Sequence, residues 1–259
     1  MFFPQILSIF LHASLSLSSN CPANFKLHIA QVCLVQRPGT KGFCNAVQSC
    51  ADYGKQRNQL VFLIGRNAPL LAFIVQPLKP VYTGLNCLLE TQVDKDTVWR
   101  DLDPRSPEYS IPSTSIIWSE NHPRGNRPFL LWSPREITMQ DFAEEDYPQS
   151  LQVYCEYGGP IPCGDRQIRF RSDFPLTLPE LVQANFHFVG CPYITTTHTK
   201  LDCARGCALD SACRSIYYDH ITGKCVQMMH ADSLLPKLVG TGGNVWSRFA
   251  KVSVNSVTN

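Results

Sequence analysis

Apolar residues recur along the chain in two rhythms. Phe43, Ala46, Val47 and Cys50 fall three or four apart, the spacing that lines one face of a helix, and predict a helix from Phe43 to Tyr53. Leu60 to Ile64 is an unbroken apolar run of strand length, Trp99 to Leu102 reads as a second strand, and Leu151 to Tyr157 alternates as a half-buried strand does. Residues 66–98 are apolar but interrupted by Pro69, Pro77 and Pro80, and show no period. Pro104, Pro107, Pro112, Pro123 and Pro128 then break up residues 103–128. Proline has no N–H to give to a ladder, so this stretch predicts long irregular loops.

The pattern changes after Cys155-Glu156-Tyr157. Gly158-Gly159-Pro160-Ile161-Pro162-Cys163-Gly164 is rich in turn formers and reads as the start of a linker, placed at residues 159–179. It separates a segment 20–158 from a segment 180–254. In the second, Thr199-Lys200-Leu201-Asp202 is a capping-box start for a helix ending at Leu209. Arg214 to Asp219 and Lys224 to Met229 flank the turn His220-Ile221-Thr222-Gly223, which is a hairpin signature. Ser247 to Val254 alternates and can close a sheet. The fold class expected is α+β.

Composition narrows the class. The chain is 44% hydrophobic and 17% charged, which allows a real core and argues against disorder. Residues 1–19 hold no Lys, Arg, Asp or Glu; their apolar run ends at Ser18-Ser19 and reads as a signal peptide. No later apolar run is long enough to span a membrane. The 12 cysteines, behind such a segment, imply disulfides and a secreted, extracellular protein. Charge is nearly balanced in each half and gives no reason to expect nucleic acid.

Two groups of residues carry resemblances. Cys21-Pro22 with Cys33, Phe43-x-x-Ala46-x-x-x-Cys50-x-x-x-Gly54, Trp99-Arg100-Asp101-Leu102, Trp118 before Pro123, and Tyr154-Cys155-Glu156-Tyr157 follow one another as in a C-type lectin-like domain, which residues 20–158 resemble. Cys203, Cys207, Cys213 and Cys225, with Ser215-Ile216-Tyr217-Tyr218-Asp219, resemble the helix and hairpin of a PAN/Apple module over residues 180–254. No cysteine follows Cys225, so the outer bridge of a fuller Apple pattern is missing. The resemblances imply the pairs Cys21–Cys33, Cys50–Cys155, Cys203–Cys225 and Cys207–Cys213. For the remaining four, nearness along the chain points to Cys44–Cys87 and Cys163–Cys191.

Sugar-binding lectins of that family hold Ca²⁺ through Glu-Pro-Asn or Gln-Pro-Asp and a later Asn-Asp pair, because Ca²⁺ takes six to eight oxygen ligands. Here the tripeptide is His122-Pro123-Arg124, with Gln140-Asp141 at the later position. An imidazole and a guanidinium stand where oxygens are needed, so no cofactor is expected and calcium is doubtful. Leu130 or Leu131 and Glu144 take the positions of the family's second internal bridge. The candidate ligand-binding residues are Trp118, Glu120, Asn121, Arg124, Asn126, Arg127 and Asp141; Arg135 and Trp132 lie in the same stretch. Arginine and tryptophan suit both anionic sugars and protein hot spots.

Other chemistry finds little footing. His198, His220 and His230 surround the second cysteine group, but oxidised thiols are not zinc ligands. There is no Gly-x-Ser-x-Gly, His-Glu-x-x-His or P-loop. The expectation is a non-enzymatic recognition protein for an extracellular carbohydrate or glycoprotein. A protein-interaction or adhesion molecule that ignores sugar is the alternative, and an enzyme or enzyme inhibitor ranks third.

Overall fold

The computed structural model describes residues 21–74, 79–143, 146, 149–161, 168–240 and 245–252. The signal-peptide reading of residues 1–19 lies outside them, as do Glu144 and Cys163. The described chain is mixed α+β, mostly sheet, with five disulfides.

The first half begins with a hairpin of β1 (Leu27–Ile29) and β2 (Val32–Thr40). Helix α1 (Phe43–Lys55) follows and buries Phe43, Ala46, Val47, Cys50 and Tyr53, the apolar face its spacing encodes. Phe43 stacks on Phe129 at 4.2 Å between ring centroids, and a well-buried side chain of this size contributes about 1.5–3 kcal/mol. Gly54 lets the last turn of the helix pack against the strand that follows: a Cβ there would lie 2.4 Å from the Gln59 carbonyl oxygen. Strand β3 (Gln59–Leu63) comes next. Residues 66–98, which show no period, contain a 3-10 turn at Ala68–Leu70, a short helix α2 (Leu71–Ile74) and β4 (Val81–Asn86). Every residue of β4 is buried, so an alternating pattern could not have marked it.

β5 (Val98–Arg100), β6 (Ser110–Pro112), β7 (Phe129–Ser133), β8 (Thr138–Phe142) and β9 (Leu151–Pro160) complete a nine-stranded sheet. β9 lies between β2 and β3 and also meets β4 in parallel. It continues through Gly158-Gly159 to Pro160, because a register shift at Leu60/Val61 absorbs the extra residue.

The second half contains β10 (Arg169–Arg171), β11 (Val182–Gln183), β12 (Cys191–Thr196), helix α3 (Lys200–Leu209), β13 (Cys213–Asp219), β14 (Lys224–Met229), β15 (Leu235–Pro236) and β16 (Trp246–Val252). Five strands form an antiparallel sheet in the order β10-β16-β13-β14-β12, and β11 pairs with β15 in parallel. The Thr199 hydroxyl caps α3 by accepting from the Asp202 N–H at 3.1 Å. Beneath α3 the bridges Cys203–Cys225 and Cys207–Cys213 pack with Ile216 and Tyr218.

In the first half, bridges join Cys21 to Cys33 and Cys50 to Cys155. The remaining four cysteines correct the reading by chain proximity. Cys44 does not pair with Cys87, and Cys191 does not pair with Cys163. Instead Cys44 bonds Cys191, 147 residues away. The reason is directional. Cys44 sits beside the buried stripe of α1, half-exposed and facing the second half. Cys87 follows β4 into the core, is 1% exposed and remains a free thiol.

The halves meet over a continuous seam. Phe188 and Ala231 belong to the same buried cluster as the core of the first half. The Leu234 N–H donates to the Leu88 carbonyl at 3.2 Å, and Gln183 Nε2 donates to the Glu90 carbonyl at 2.8 Å. Two cavities of about 30 Å³, each room for about one water, lie along this seam, and Arg214 and His230 line both.

Candidate functional site

The loop 116–128 is pinned to β8 before it presents anything. The Met139 N–H donates to the Ile117 carbonyl at 2.8 Å, and the Ser119 N–H donates to the Met139 carbonyl at 2.9 Å. The His122–Pro123 peptide is cis, and Asn121, Gly125 and Asn126 have left-handed backbone at φ 63°, 76° and 54°. Asn and Gly are the residues that adopt this region most cheaply, so the loop's composition matches its path.

Its anchor is Asp141 on β8. This side chain is fully buried. Its Oδ1 accepts from His122 Nδ1 at 2.5 Å, and the Arg124 N–H donates to both carboxylate oxygens at 2.9 Å. A buried carboxylate is tolerable only when its hydrogen bonds are met, and this loop meets them internally. Calcium does not fit here. His122 and the Arg124 N–H take up the Asp141 oxygens, His122 brings nitrogen where oxygen is wanted, and Arg124 brings like charge. Among the described residues no group of three or more His, Cys, Asp or Glu could hold a metal ion.

The sequence candidates divide into scaffold and surface. Trp118 is scaffold: its ring packs edge-on against Trp99 at 5.8 Å, and its Nε1 donates to the Ser113 carbonyl at 2.9 Å. Trp132 is a core residue at 1% exposure. Arg127 is tied down, with Nη2 donating to Asp146 Oδ1 at 3.0 Å. Asp141 is the internal latch. Glu120, Asn121, Arg124 and Asn126 are exposed, and the Arg124 guanidinium has no partner among the described residues. Asn126 Oδ1 accepts from Asn185 Nδ2 of the second half at 2.9 Å. Ile117 and Ile137 are also exposed on this side of the molecule, the latter at φ 57°. Glu136 accepts from the Thr138 hydroxyl at 3.1 Å, and bonds from Ser119 and Thr138 hold its carboxyl below the usual range.

Sequence reasoning missed two parts of this site. His122 was legible only as a residue in place of an oxygen donor, because its partner lies 19 residues away on another strand. Asn185 carried no signal, since its role depends on how the halves dock.

Elsewhere, buried charges form structural networks. Asp103 accepts from Arg66 and Arg105, and Glu156 accepts from Arg105 and Asn67. Burial raises the carboxyls of Asp101 and Glu156. Cys87 is an inert thiol: burial, then Glu90 and Asp141, push it well up, away from the low values that reactive cysteines need.

No protein-family model matches the chain, and no curated protein matches it. Among the described residues no helix is long and apolar enough to cross a membrane.

Proposed function

We propose that the chain is an extracellular, non-enzymatic recognition protein that binds glycans or glycoproteins without calcium. In this reading its first half is a C-type lectin-like domain and its second a PAN/Apple module. One observation carries the proposal: an internally hydrogen-bonded loop, whose partner Asp141 is buried and closed by His122 and the Arg124 N–H, with the Arg124 side chain exposed. A loop held in one conformation loses little entropy on binding, which is the benefit of preorganisation. The helix-and-hairpin bridges and the order of elements in the first half support the two resemblances.

A glycan array probed with and without chelator tests this. Binding that survives chelation is the expected result, and chelator-sensitive binding would refute it. A second reading, adhesion to a protein, is favoured by the exposure of Ile117 (73%) and Ile137 (56%). It predicts no glycan signal and a protein partner whose binding falls on substitution of either isoleucine.

A further inference from the structure

We infer that the free edge of β12 pairs antiparallel with β12 of a second copy of the chain, joining two five-stranded sheets into one across a two-fold axis at Thr195. This assigns a self-association surface to the second half, and it does not depend on the recognition reading of the loop given above.

β12 ends its sheet: it pairs with β14 and with no other described strand. The direction of its backbone groups follows from one bond. The Thr197 N–H donates to the Gly223 carbonyl at 2.9 Å, continuing the register in which Thr196 lies opposite Lys224. In an antiparallel ladder alternate residues turn their N–H and C=O to the same side. Thr195, Tyr193 and Cys191 therefore face β14, while Thr196, Ile194 and Pro192 face outward. Pro192 agrees with this: it has no N–H to give, and a sheet tolerates proline where the N–H side meets solvent. The N–H and C=O groups of Ile194 and Thr196 are left without a partner among the described residues.

Edge strands are ordinarily blocked by charge, by proline or by a bulge. The opposite edge, β10, carries Arg169 and Arg171. β12 has no charged residue from Cys191 to Thr197 and keeps one register along its whole length. Its exposed side chains lie on both faces. Tyr193, 57% exposed, shares the face of Cys225 and α3; Ile194, 49% exposed, lies on the other face with Val226. A second strand would cover both. A foreign peptide is selected by pockets for its alternate side chains, and neither cavity is lined by a residue of β12. A second copy needs no pocket. With the axis at Thr195, Ile194 of each copy lies opposite Thr196 of the other, and each such pair exchanges both of its bonds. Pro192 falls outside these pairs. Thr195 meets its own copy, a β-branched pair with no charge to repel. A strand of 6 residues makes a small interface, so the dimer is a weak and reversible one.

The test uses the full chain. Sedimentation over a range of concentrations reads the association, and hydrogen exchange by NMR on the same samples reads the edge. Wild type should dimerise reversibly and dissociate on dilution, and the Ile194 and Thr196 amides should exchange more slowly at high concentration. Ile194→Pro deletes an outward N–H without touching the ladder to β14. It should weaken association about tenfold or more, the loss of a symmetry-related pair of hydrogen bonds, with an unchanged melting temperature. Thr195→Lys and Thr195→Glu each set like charges against each other at the axis; each should be monomeric alone, and their mixture should dimerise. A wild type that stays monomeric at every concentration overturns the proposal, as does a dimer that survives Ile194→Pro or runs as a disulfide-linked species on a non-reducing gel. A lower melting temperature in Ile194→Pro places that N–H in the ladder and overturns it too. So does a mixture of the folded Thr195 variants that remains monomeric.

Discussion

His230 should make the protein acid-sensitive in a narrow window. It follows β14 at φ 68° and is 6% exposed. Gln48 Nε2 is committed to Asp52 at 2.7 Å, which turns Gln48 Oε1 toward His230 Nε2 at 3.0 Å. The imidazole therefore donates from Nε2. Burial, then the Arg214 guanidinium, lower it from 6.5 to about 4, against smaller opposing effects of Asp210 and Asp52. The unfolded chain takes up this proton near 6.5 and the folded chain only near 4. The stability His230 contributes is complete above about 6.5, falls as pH drops, and is fully lost below about 4. At about 1.4 kcal/mol per tenfold change in proton affinity, the whole effect is about 3 kcal/mol. His230→Asn tolerates the left-handed backbone and cannot titrate. At pH 7 it should cost about 1 kcal/mol for the weakened bond to Gln48. Urea denaturation of both proteins from pH 7.5 to 3.5 measures the difference. The raised carboxyls of Asp101 and Glu156 are common to both and cancel. The variant should overtake wild type between about pH 5.5 and 6, and parallel pH curves for the two proteins would refute the reasoning.

Asp141→Ala leaves His122 and the Arg124 N–H without their buried acceptor and should cost about 3 kcal/mol, read as a lower urea midpoint together with loss of any glycan binding. Replacing both Cys44 and Cys191 by Ala opens a loop that the intact Cys50–Cys155 bridge has already shortened to roughly 40 residues; the loop-entropy model puts the loss at about 4 kcal/mol, while circular dichroism should stay native because the seam's hydrogen bonds remain. Cys87 should resist iodoacetamide in the folded protein at pH 8 and react fully in urea, as intact-mass measurement would show. Thr199→Ala should cost about 1 kcal/mol through the lost cap on α3, measured by thermal melting.

Local signals were legible wherever one residue's role was decided by its near neighbours. The faces of α1, the cap at Thr199 and the turn between β13 and β14 follow from spacing and turn chemistry. What the sequence hid was long-range. β4 has no alternation because both its faces are buried. Gly158-Gly159 reads as a break, yet β9 runs through it because β3 accommodates the register shift. In the candidate site, Arg124 and Asn126 could be named from their loop, but the latch between His122 and Asp141 depends on the register of β8. Asn185 becomes notable only once it reaches Asn126.

The Cys44–Cys191 bridge also sets a schedule for the ribosome. At about 5–20 residues per second, Cys44 emerges some 7–30 s before its partner exists. During that interval Cys50 and Cys87 are nearer along the chain, and an oxidant that acts too early can join Cys44 to either. Delayed oxidation of Cys44 avoids that error, and thiol exchange undoes it. Recombinant yield should depend on the rate of thiol exchange more than on the rate of synthesis.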